Sequence, residues 1–170
     1  MSGLDEALFR LVNGWYPAAR WCWDLLDHPW APAVLAVVAV AAYWEPRHRR
    51  YLLPAVLAVA ISDVACARVI KPLAERARPC AVLEDVHSRG SPGRPTCGSG
   101  QAMPSCHAAN TAAIAGALLS PGLAVVAGVA GVARVASGQH WPSDVLAGWA
   151  LGGGLGLGLR WAVTKALSWR

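Results

Sequence analysis

Long apolar runs alternate with short polar interruptions along most of this chain. The runs consist largely of Ala, Val, Leu and Gly and contain few charged residues. A helix that crosses a bilayer needs about 20 mostly apolar residues, so unbroken runs of this kind are typical of membrane-spanning helices. The pattern predicts an all-α polytopic membrane bundle of about five to six helices, with four clear spans. The apolar runs cover residues 31–44, 52–70, 105–119, 123–136 and 144–167.

The first 30 residues carry a weaker pattern. Residues 4–12 and 15–26 each place apolar side chains on one side, which predicts two short helices. Neither is long enough to span a bilayer alone, so residues 1–30 are interpreted as short amphipathic or re-entrant helices. The N-terminal sequence has acidic residues where a signal peptide has basic ones, so no cleaved signal is expected. We expect residues 1–170 to form one integral membrane domain.

A polar segment at residues 71–103 separates the apolar runs into two groups. The basic cluster Arg47, Arg49 and Arg50 marks one side of the membrane, which the positive-inside rule makes cytoplasmic. Alternating spans then place residues 71–103 outside, as an extracytoplasmic loop, together with residues 137–143. Five basic residues nevertheless remain in the outer loop, and binding an anion would explain them. They are Lys71, Arg76, Arg78, Arg89 and Arg94.

The overall composition narrows the class of protein further. Hydrophobic residues make up 55% of the chain and charged residues 15%, and the formal net charge is +5. The basic residues lie between apolar runs and form no stripe on a solvated helix, so nucleic acid is not expected as a partner. Most of the nine Trp residues lie near the ends of apolar runs. That placement fits an aromatic belt in contact with membrane lipids.

Cations and a helix start on the predicted outer face form a candidate anion site. Lys71 supplies a compact ammonium charge, and Arg78 and Arg134 supply planar guanidinium groups. All three groups suit phosphate oxygens. Ser105 and Cys106 begin an apolar helix, where free backbone N–H groups and the helix dipole favour an anion. Their small side chains let a phosphate approach the backbone, and Ser105 adds a hydroxyl donor. We therefore expect these five residues to bind phosphate.

Histidines stand beside this candidate anion site. His140 and Asp144 are four residues apart, which places them on one helical face. A carboxylate on one imidazole nitrogen fixes the tautomer and makes the other nitrogen a better nucleophile or base. His107 lies at the start of another helix, on the same predicted outer side of the membrane. It could be a general acid that protonates a leaving oxygen. This arrangement predicts phosphoryl transfer through a phosphohistidine, although each histidine alone could be a local helix cap.

Three ordered motifs carry these residues, and together they resemble the signature motifs of the type 2 phosphatidic acid phosphatase superfamily. That family includes membrane lipid phosphatases and soluble vanadium haloperoxidases. The first motif is complete, whereas Cys106 replaces a Gly in the second and Ala133 replaces a Ser in the third. The matching residues are Lys71, Arg78 and Pro79, then Pro104, Ser105 and His107, then Arg134, His140 and Asp144.

The resemblance implies a role for each motif residue. His140 would be the nucleophile, oriented by Asp144, and His107 would be the general acid. The resemblance implies no metal and no other cofactor. The residues that would hold the phosphate are Lys71, Arg78, Ser105, Cys106 through its backbone, and Arg134.

A substrate class and a location are implied as well. Small bacterial-looking members with an outward site resemble undecaprenyl pyrophosphate phosphatases, so undecaprenyl pyrophosphate is the first candidate for a lipid substrate entering sideways from the bilayer. The same motifs serve lipid A 1-phosphatases, phosphatidylglycerophosphate phosphatases and phosphatidate phosphatases. The expected location is a bacterial cytoplasmic (inner) membrane, with the active site facing the periplasm or the exterior.

Other interpretations of the same residues stay open. A lipid phosphotransferase would pass the phosphoryl group to another lipid or to a sugar. A small membrane scaffold or an anion channel would use the cations without any chemistry. Lys71 and Arg78 could also be interfacial side chains whose stems lie along apolar surface. The haloperoxidase function is excluded because those relatives are soluble and these helices are too apolar.

Several polar residues outside the motifs also carry expectations. Arg76, Arg89 and Arg94 are expected to be solvated or to contact lipid headgroups. Asp63 lies within an apolar run, where ionisable groups are rare. It is expected to pair with Arg68 or with an arginine of another helix.

The five cysteines divide into reactive candidates and inert ones. Cys80 and Cys97 flank the outer loop, where an oxidising exterior would permit a disulfide that pins the loop over the site. The same pair with His87 could instead bind zinc, but the spacing is not a standard one. Cys106 at a helix start could be a thiolate nucleophile. The cysteines expected to be inert are Cys22 and Cys66.

Overall fold

The computed structural model describes residues 3–26, 28, 30–45, 49–88, 90–91, 94–95, 97–98 and 100–169. Arg47 and Arg89 lie outside this part of the chain, and only the backbone of Arg94 is described. The elements in chain order are α1 (Gly3–Asn13), a 3₁₀ turn (Pro17–Ala19), α2 (Arg20–Leu26), α3 (Ala31–Ala42), α4 (Leu52–Val64), a π-helical segment (Ala65–Ile70), α5 (Lys71–Ala74), α6 (Pro79–Val82), β1 (Gly90–Ser91), β2 (Arg94–Pro95), α7 (Cys106–Leu118), α8 (Pro121–Ala136) and α9 (Pro142–Leu167).

The bundle helices begin at residues that favour helix starts. Ser105 and Ser120 cap α7 and α8, because each hydroxyl oxygen accepts a hydrogen bond from a backbone N–H three residues later. Pro121 and Pro142 occupy the first positions of α8 and α9, where a backbone N–H has no partner in the helix anyway. The Ser105 N–H donates to the Asp144 carbonyl at 2.9 Å, so the starts of α7 and α9 lie side by side.

Helix α7 packs against α9 along a row of glycines. Gly148, Gly152 and Gly156 recur every four residues and face the backbone of α7. A Cβ atom at Gly152 would overlap the carbonyl group of Ala109. Close approach through small residues is a usual mode of packing between membrane helices. This contact fixes the starts of α7 and α9 relative to each other.

Large apolar side chains cover the outside of the bundle, whereas its interior is filled mainly by alanines. A soluble monomer rarely exposes apolar surface on this scale, so the outer surface indicates a lipid environment. The predicted all-α polytopic bundle agrees with this surface. The exposed residues include Val34, Val37 and Val38 of α3, Leu53, Val56, Leu57, Ile61 and Val64 of α4, and Val125, Val126 and Val129 of α8.

The lengths of the helices differ from the four clear spans predicted. Among the described residues, only the stretch Leu52–Val82 is long and apolar enough on its own to cross a membrane, and Pro121–Ala136 is a shorter apolar helix. Helices α3 and α7 have 12 and 13 residues, fewer than the roughly 20 that a full span requires. Helix α9 has 26 residues, but charged side chains at both of its ends lower its hydropathy.

Helix α1 docks on the end of the bundle at which α7 and α9 begin. Its residues Asp5, Phe9 and Asn13 are buried and recur every four positions, so they form one face of the helix. The Phe9 ring lies 5.4 Å from the Trp141 ring, measured between centroids. Asn13 Nδ2 donates to the His87 carbonyl at 2.7 Å, and Asn13 Oδ1 accepts from the His87 N–H at 3.0 Å. The amphipathic pattern therefore matches a docking face on the bundle.

The segment predicted as an outer loop, residues 71–103, contains several short elements. Helix α4 continues through the π-helical segment into α5, so Lys71 lies on a helix and not in a loop. Helix α6 follows, and β1 and β2 form a short antiparallel hairpin. One disulfide joins Cys80 to Cys97 within this segment.

A second disulfide joins Cys66, in the π-helical segment, to Cys106 at the start of α7. The prediction that Cys66 is inert is therefore wrong, and Cys106 carries no free thiol that could act as a nucleophile. Sequence reasoning missed the pair because the two residues lie 40 positions apart in different apolar runs. Only the packing of α7 against the π-helical segment brings them together.

Candidate active site

The chain between α8 and α9 forms a tight turn that buries His140. The Arg134 carbonyl, in the last turn of α8, accepts hydrogen bonds from the backbone N–H groups of both Gln139 and His140 at 3.1 Å. Gly138 adopts a φ of +74°, a left-handed conformation that favours glycine. A Cβ atom at Gly138 would also press against Val86. His140 is held in this turn with only 2% of its surface exposed.

The imidazole of His140 faces cationic side chains. Arg78 Nη1 lies 3.3 Å from His140 Nε2. A guanidinium group has only donors, so this contact requires Nε2 to accept and puts the proton of the neutral ring on Nδ1. Burial, followed by the charges of Arg134, Arg78 and Lys71, lowers the pKa of His140 well below its ordinary value of 6.5. The ring is therefore neutral, which leaves a lone pair on Nε2.

Arg78 is itself fixed by backbone groups of the loop that covers it. Its Nε donates to the Gly100 carbonyl at 3.2 Å, and its Nη1 donates to the Gln139 carbonyl at 2.9 Å. The Gly98 N–H donates to the Gln139 side chain at 2.9 Å, next to the Cys80–Cys97 disulfide. The covering loop and the His140 turn thus hold the guanidinium between them.

Asp144 lies beside His140 at the distance of an ion pair and not of a hydrogen bond. Its Oδ2 is 3.7 Å from His140 Nδ1. That oxygen accepts from the Trp141 N–H at 2.8 Å, while Oδ1 accepts from Arg76 Nη1 at 2.7 Å. Within the described part of the chain, His140 Nδ1 has no hydrogen-bond partner. The carboxylate is in place to stabilise positive charge on the ring, but it does not bond the ring in this arrangement.

Arg76 occupies the centre of a buried polar network, so the prediction that it is solvated is wrong. Its side chain is 19% exposed. Arg76 Nη1 donates to Ser143 Oγ at 2.6 Å as well as to Asp144 Oδ1, and Nη2 donates to Asp5 Oδ2 at 2.5 Å. Arg76 precedes Arg78 by two residues in a segment without regular secondary structure, and nothing in that pattern predicts its partners.

Asp5 connects helix α1 to this network. It accepts from the Ser143 N–H at 3.0 Å and from Ser143 Oγ at 2.6 Å, in addition to Arg76. Burial opposes ionisation of Asp5, but the hydrogen bonds from Ser143 and Arg76 outweigh it, so its pKa lies below the ordinary value of 3.8. Nothing in the local sequence predicts this role, because Asp5 lies 138 positions from Ser143.

Trp141 belongs to the site and not to the interfacial belt in which the sequence places it. The residue is fully buried, and its Nε1 donates to the Ala77 carbonyl at 2.9 Å. The Arg76 guanidinium lies 5.3 Å from the centre of its ring, within the range of a cation–π contact. The belt prediction holds better for Trp residues that are more than half exposed, which are Trp15, Trp21, Trp44, Trp161 and Trp169.

Three cations predicted to bind phosphate converge near the histidines. Lys71 Nζ donates to the Gln101 carbonyl at 2.6 Å, which holds the ammonium group at the end of α5. Lys71 and Arg134 act electrostatically on both His107 and His140, and Arg78 acts on His140. Of the three, Arg78 is in direct contact with a ring, at 3.3 Å between its Nη1 and His140 Nε2. Such a cluster suits a phosphate dianion.

Ser105 retains its hydroxyl, but not its backbone N–H, as a potential donor to an anion. The residue is fully buried, its N–H is bonded to the Asp144 carbonyl, and its hydroxyl oxygen accepts from the Ala108 N–H at 3.4 Å. The backbone N–H is therefore taken by Asp144, whereas the hydroxyl accepts in the helix cap and still has its own hydrogen to donate. The neighbouring Cys106 is held in place by its disulfide to Cys66.

His107 sits at the second residue of α7 and is half-buried. Its Nε2 lies 3.3 Å from the His28 carbonyl. Since a carbonyl oxygen only accepts, Nε2 carries the proton in this contact and Nδ1 is left for proton exchange. His107 also lines a cavity of about 330 Å³ between α3, α4 and α7, whose apolar walls are Ala33, Ala36, Val59 and Ile114.

Asp63 and Asn110 line the same cavity. Asn110 Nδ2 donates to Asp63 Oδ1 at 2.9 Å and ties α7 to α4. This contact replaces the predicted pairing of Asp63 with an arginine. Asn110 lies one turn after His107 on the same face of α7. The cavity therefore combines an imidazole, a carboxylate and an amide within apolar walls.

Comparisons with known proteins show the family and the fold of the chain. A family model of the PAP2 superfamily matches residues 51–168. The crystal structure of LpxE from Aquifex aeolicus superposes with a TM-score of 0.72, at 23% identity, covering 92% of this chain and 94% of that one. The first transmembrane PAP2 type phosphatidylglycerolphosphate phosphatase from Bacillus subtilis superposes with a TM-score of 0.52, at 19% identity, covering 96% and 94%. At these identities the two structures establish a shared fold. No curated protein matches the chain.

Proposed function

Because the chain belongs to the PAP2 superfamily, which includes membrane lipid phosphatases, we propose that it hydrolyses a membrane lipid phosphate through a phosphohistidine formed on His140. The single observation that carries this proposal is the state of that ring. His140 is buried and neutral, and Arg78 Nη1 at 3.3 Å leaves Nε2 as the nucleophilic atom.

In the first step, Nε2 of His140 attacks phosphorus and the bond to the lipid oxygen breaks. Lys71, Arg78 and Arg134 neutralise the phosphate oxygens during this step. Phosphorylation at Nε2 gives the imidazole a positive charge. The Asp144 carboxylate, 3.7 Å from Nδ1, stabilises that charge, and Arg76 keeps the carboxylate in position.

Proton transfer is the task of His107 in this proposal. Binding of the phosphate anion beside the ring favours the protonated form of His107. Nδ1 of the protonated ring then gives its proton to the departing lipid oxygen, so the product leaves as a neutral alcohol. The neutral His107 then takes a proton from water, and the resulting hydroxide attacks phosphorus. The bond between phosphorus and Nε2 breaks, inorganic phosphate leaves, and both histidines return to their starting states. Every step uses side chains of this chain, without a metal.

The candidate substrates are lipid phosphates on which members of the family act. Undecaprenyl pyrophosphate is the candidate favoured by the sequence. LpxE and the phosphatidylglycerolphosphate phosphatase, which share this fold, support lipid A 1-phosphate and phosphatidylglycerophosphate as further candidates. Phosphatidate completes the set. In each case the tail stays in the bilayer while the phosphate reaches the cations.

We place the site at the outer surface of a bacterial inner membrane. The motif residues lie at the ends of α5, α7 and α9 opposite the end that carries Arg49 and Arg50. With that basic end in the cytoplasm, the site faces the periplasm or the exterior. Labelling of single cysteines introduced beside Arg50 and beside Val86, in intact cells with a membrane-impermeant reagent, tests this orientation.

Phosphate release tests the proposed reaction. The protein is purified in detergent with a chelator present and offered undecaprenyl pyrophosphate, a lipid A 1-phosphate, phosphatidylglycerophosphate and phosphatidate. We expect release of inorganic phosphate from at least one of them, its loss in His140→Ala, and an acid-labile ³²P label on the wild-type protein. Unchanged release in His140→Ala would contradict the mechanism. Transfer of label to a supplied lipid or sugar in preference to water would identify a phosphotransferase.

A further inference from the structure

We propose that Asp63 and Asn110 form, with His107, a subsite for the leaving group of the substrate, and that this subsite selects a leaving group with a hydroxyl or amide N–H next to the phosphate ester. Glycerol and sugar headgroups have such donors. The inference rests on the proposed function, because it assigns His107 to the leaving oxygen. It goes further by naming the class of alcohol that departs.

The first support is the position of the two side chains. Asp63, His107 and Asn110 line one cavity of about 330 Å³, a volume sufficient for a small polar headgroup. His107 is the group that would protonate the leaving oxygen. Whatever lies next to that oxygen on the substrate therefore lies in this cavity, one helical turn from His107 along α7.

The second support is the balance of donors and acceptors in the cavity. Asn110 uses its Nδ2 as a donor to Asp63 Oδ1. Its Oδ1 is buried and accepts no hydrogen bond from any described residue. An ionised carboxylate only accepts. The pair thus presents acceptors to the cavity, and a buried acceptor without a donor is unfavourable. A ligand that brings O–H or N–H groups supplies what this pair lacks.

The third support is the apolar setting of the carboxylate. Asp63 lies in the apolar helix α4, and its neighbours in the cavity wall include Ala33, Ala36 and Val59. Carboxylates are costly at membrane depth and mark binding or transport sites there. Asp63 is exposed, and Asn110 supplies one hydrogen bond to it, so the carboxylate can accept further hydrogen bonds from the hydroxyl groups of a headgroup.

The charge of Asp63 also discriminates between phosphate monoesters and pyrophosphates. Cleavage of a lipid pyrophosphate leaves a lipid phosphate, which is an anion, in the cavity beside Asp63. Like charges at close range in a medium of low dielectric repel each other strongly. Cleavage of a sugar or glycerol monoester leaves a neutral hydroxyl group there. The cavity therefore favours a monoester of a polyhydroxylated or N-acylated lipid over undecaprenyl pyrophosphate.

A matched pair of substrates tests this inference directly. One is a monoacyl glycerol 3-phosphate, whose free 2-hydroxyl lies beside the phosphate ester, and the other is its 2-deoxy analogue with the same tail. For the wild-type protein in detergent, we expect kcat/KM to be at least about tenfold higher with the hydroxyl, the size expected for one hydrogen bond to a charged group. Asp63→Ala should lower kcat/KM more for the hydroxyl substrate than for the analogue, so that the preference between the two falls to about one.

A control variant separates this role from a structural one. Thr164→Val removes a different polar contact, the one at 3.2 Å between Thr164 of α9 and Tyr51, which precedes α4 at the far end of the bundle. It should leave the preference for the 2-hydroxyl intact. Asn110→Ala should reduce the preference, and Asp63→Ala should raise activity on undecaprenyl pyrophosphate relative to the monoesters.

The outcomes distinguish this inference from the proposed function. Equal kcat/KM for the two matched substrates in the wild type would overturn the inference, and so would an equal loss on both substrates in Asp63→Ala. The proposed function would survive either result, since phosphate release would still depend on His140. No release from any substrate, in wild type as in His140→Ala, would instead remove the proposed function and the inference together.

Discussion

The two histidines of the proposed mechanism, His140 and His107, differ in their burial and in the groups that surround them. On one side the ring is buried and its surroundings are linked by charged hydrogen bonds to helix α1. On the other side the ring is half-buried, makes one contact at 3.3 Å to a carbonyl, and opens on a mainly apolar cavity. The nucleophile wall consists of His140, Asp144, Arg76 and Asp5, and the leaving-group wall consists of His107, Asp63 and Asn110.

The difference shows that contacts, and not residue type, suit the two histidines to different tasks, since burial and the charges of Arg134 and Lys71 act on both rings. Burial among cations keeps His140 neutral, which suits attack on phosphorus. The cavity beside His107 gives room for a departing alcohol and then for water, which suits a group that passes a proton in both directions. Substitutions in the nucleophile wall and in the leaving-group wall are therefore expected to change activity in different ways.

The largest expected effect is the loss of phosphate release when either histidine is replaced. For His107 the loss should depend on the leaving group of the substrate, and for His140 it should not. His140→Ala should lower phosphate release by about 10⁴-fold or more on every substrate, because no nucleophile remains. His107→Ala should lower it by about 10²–10⁴-fold on an alkyl phosphate but far less on a p-nitrophenyl phosphate, whose leaving group needs no proton. Single-turnover release from both substrates measures this. Equal losses on both substrates in His107→Ala would show that His107 is not the acid.

The next effect concerns the contact that holds the walls together. Gly152→Val should press a side chain into the Ala109 carbonyl and separate α7 from α9. A displacement of about 1 Å at a reacting centre can cost about 10²-fold in rate, so activity should fall on both classes of leaving group. Gly154→Val is the matched control, because a Cβ atom there meets nothing within 4 Å. Equal activities of the two variants would argue against this packing.

Arg76 is expected to matter more for stability than any exposed ion pair. Arg76→Met leaves the carboxylates of Asp5 and Asp144 buried without their shared cation, which should cost about 3–5 kcal/mol in unfolding free energy and lower kcat. Adding Asp5→Asn should restore part of that stability, because one buried charge is removed. Arg10→Met breaks only the exposed pair with Glu6 and should cost less than about 1 kcal/mol. Denaturant unfolding in detergent measures all four proteins.

The two disulfides lie beside different parts of the site, so removing one or the other should affect activity differently, by less than the substitutions above. Cys66–Cys106 holds the start of α7, which carries His107, whereas Cys80–Cys97 holds the loop over Arg78. Replacing either pair by alanines should cost about 2–4 kcal/mol in stability. Loss of Cys66–Cys106 should slow release from the alkyl phosphate more than from the p-nitrophenyl phosphate. Loss of Cys80–Cys97 should slow both equally, and the reverse pattern would contradict the assignment of the walls.

The residues of the two walls were not equally predictable from the sequence. His107, His140 and Asp144 were found because their spacing and their order along the chain form motifs. Helix α1 and the longer apolar helices were found because their periodicity is local. In contrast, Asp5 enters the site through the docking of a helix far away in sequence, and no local pattern reports such a contact.

Burial and bonding partners account for the remaining errors. Trp141 and Arg76 carry side chains that are usually interfacial or solvated, and only the tertiary structure encloses them. Ser105 was expected to contact an anion, but its N–H bonds to the Asp144 carbonyl of another helix. The pairing of Cys66 with Cys106 needs the packing of two elements that are 40 residues apart. Sequence patterns predict which residues lie at the helix ends. The hydrogen-bond and disulfide partners of those residues depend on how the helices pack in the bundle.

The smallest expected effect concerns the response of the nucleophile wall to pH. The pKa of His140 in the folded protein lies well below the ordinary value of 6.5 that the unfolded chain would show. Below about pH 6.5 the unfolded chain therefore binds a proton that the folded protein does not, and folding stability should fall as the pH falls, by at most about 1.4 kcal/mol per pH unit from this residue.

His140→Gln carries no titrating group at this position, so its stability should depend less on pH between 8 and 5.5 than that of the wild type. The lowered pKa of Asp5 works in the same direction but only near and below 3.8, outside this range. Thermal unfolding in one detergent across the range measures the difference in slope. Parallel curves for the two proteins would mean that the pKa of His140 is the same in the folded and the unfolded protein, which would contradict the lowered pKa on which the neutral ring depends.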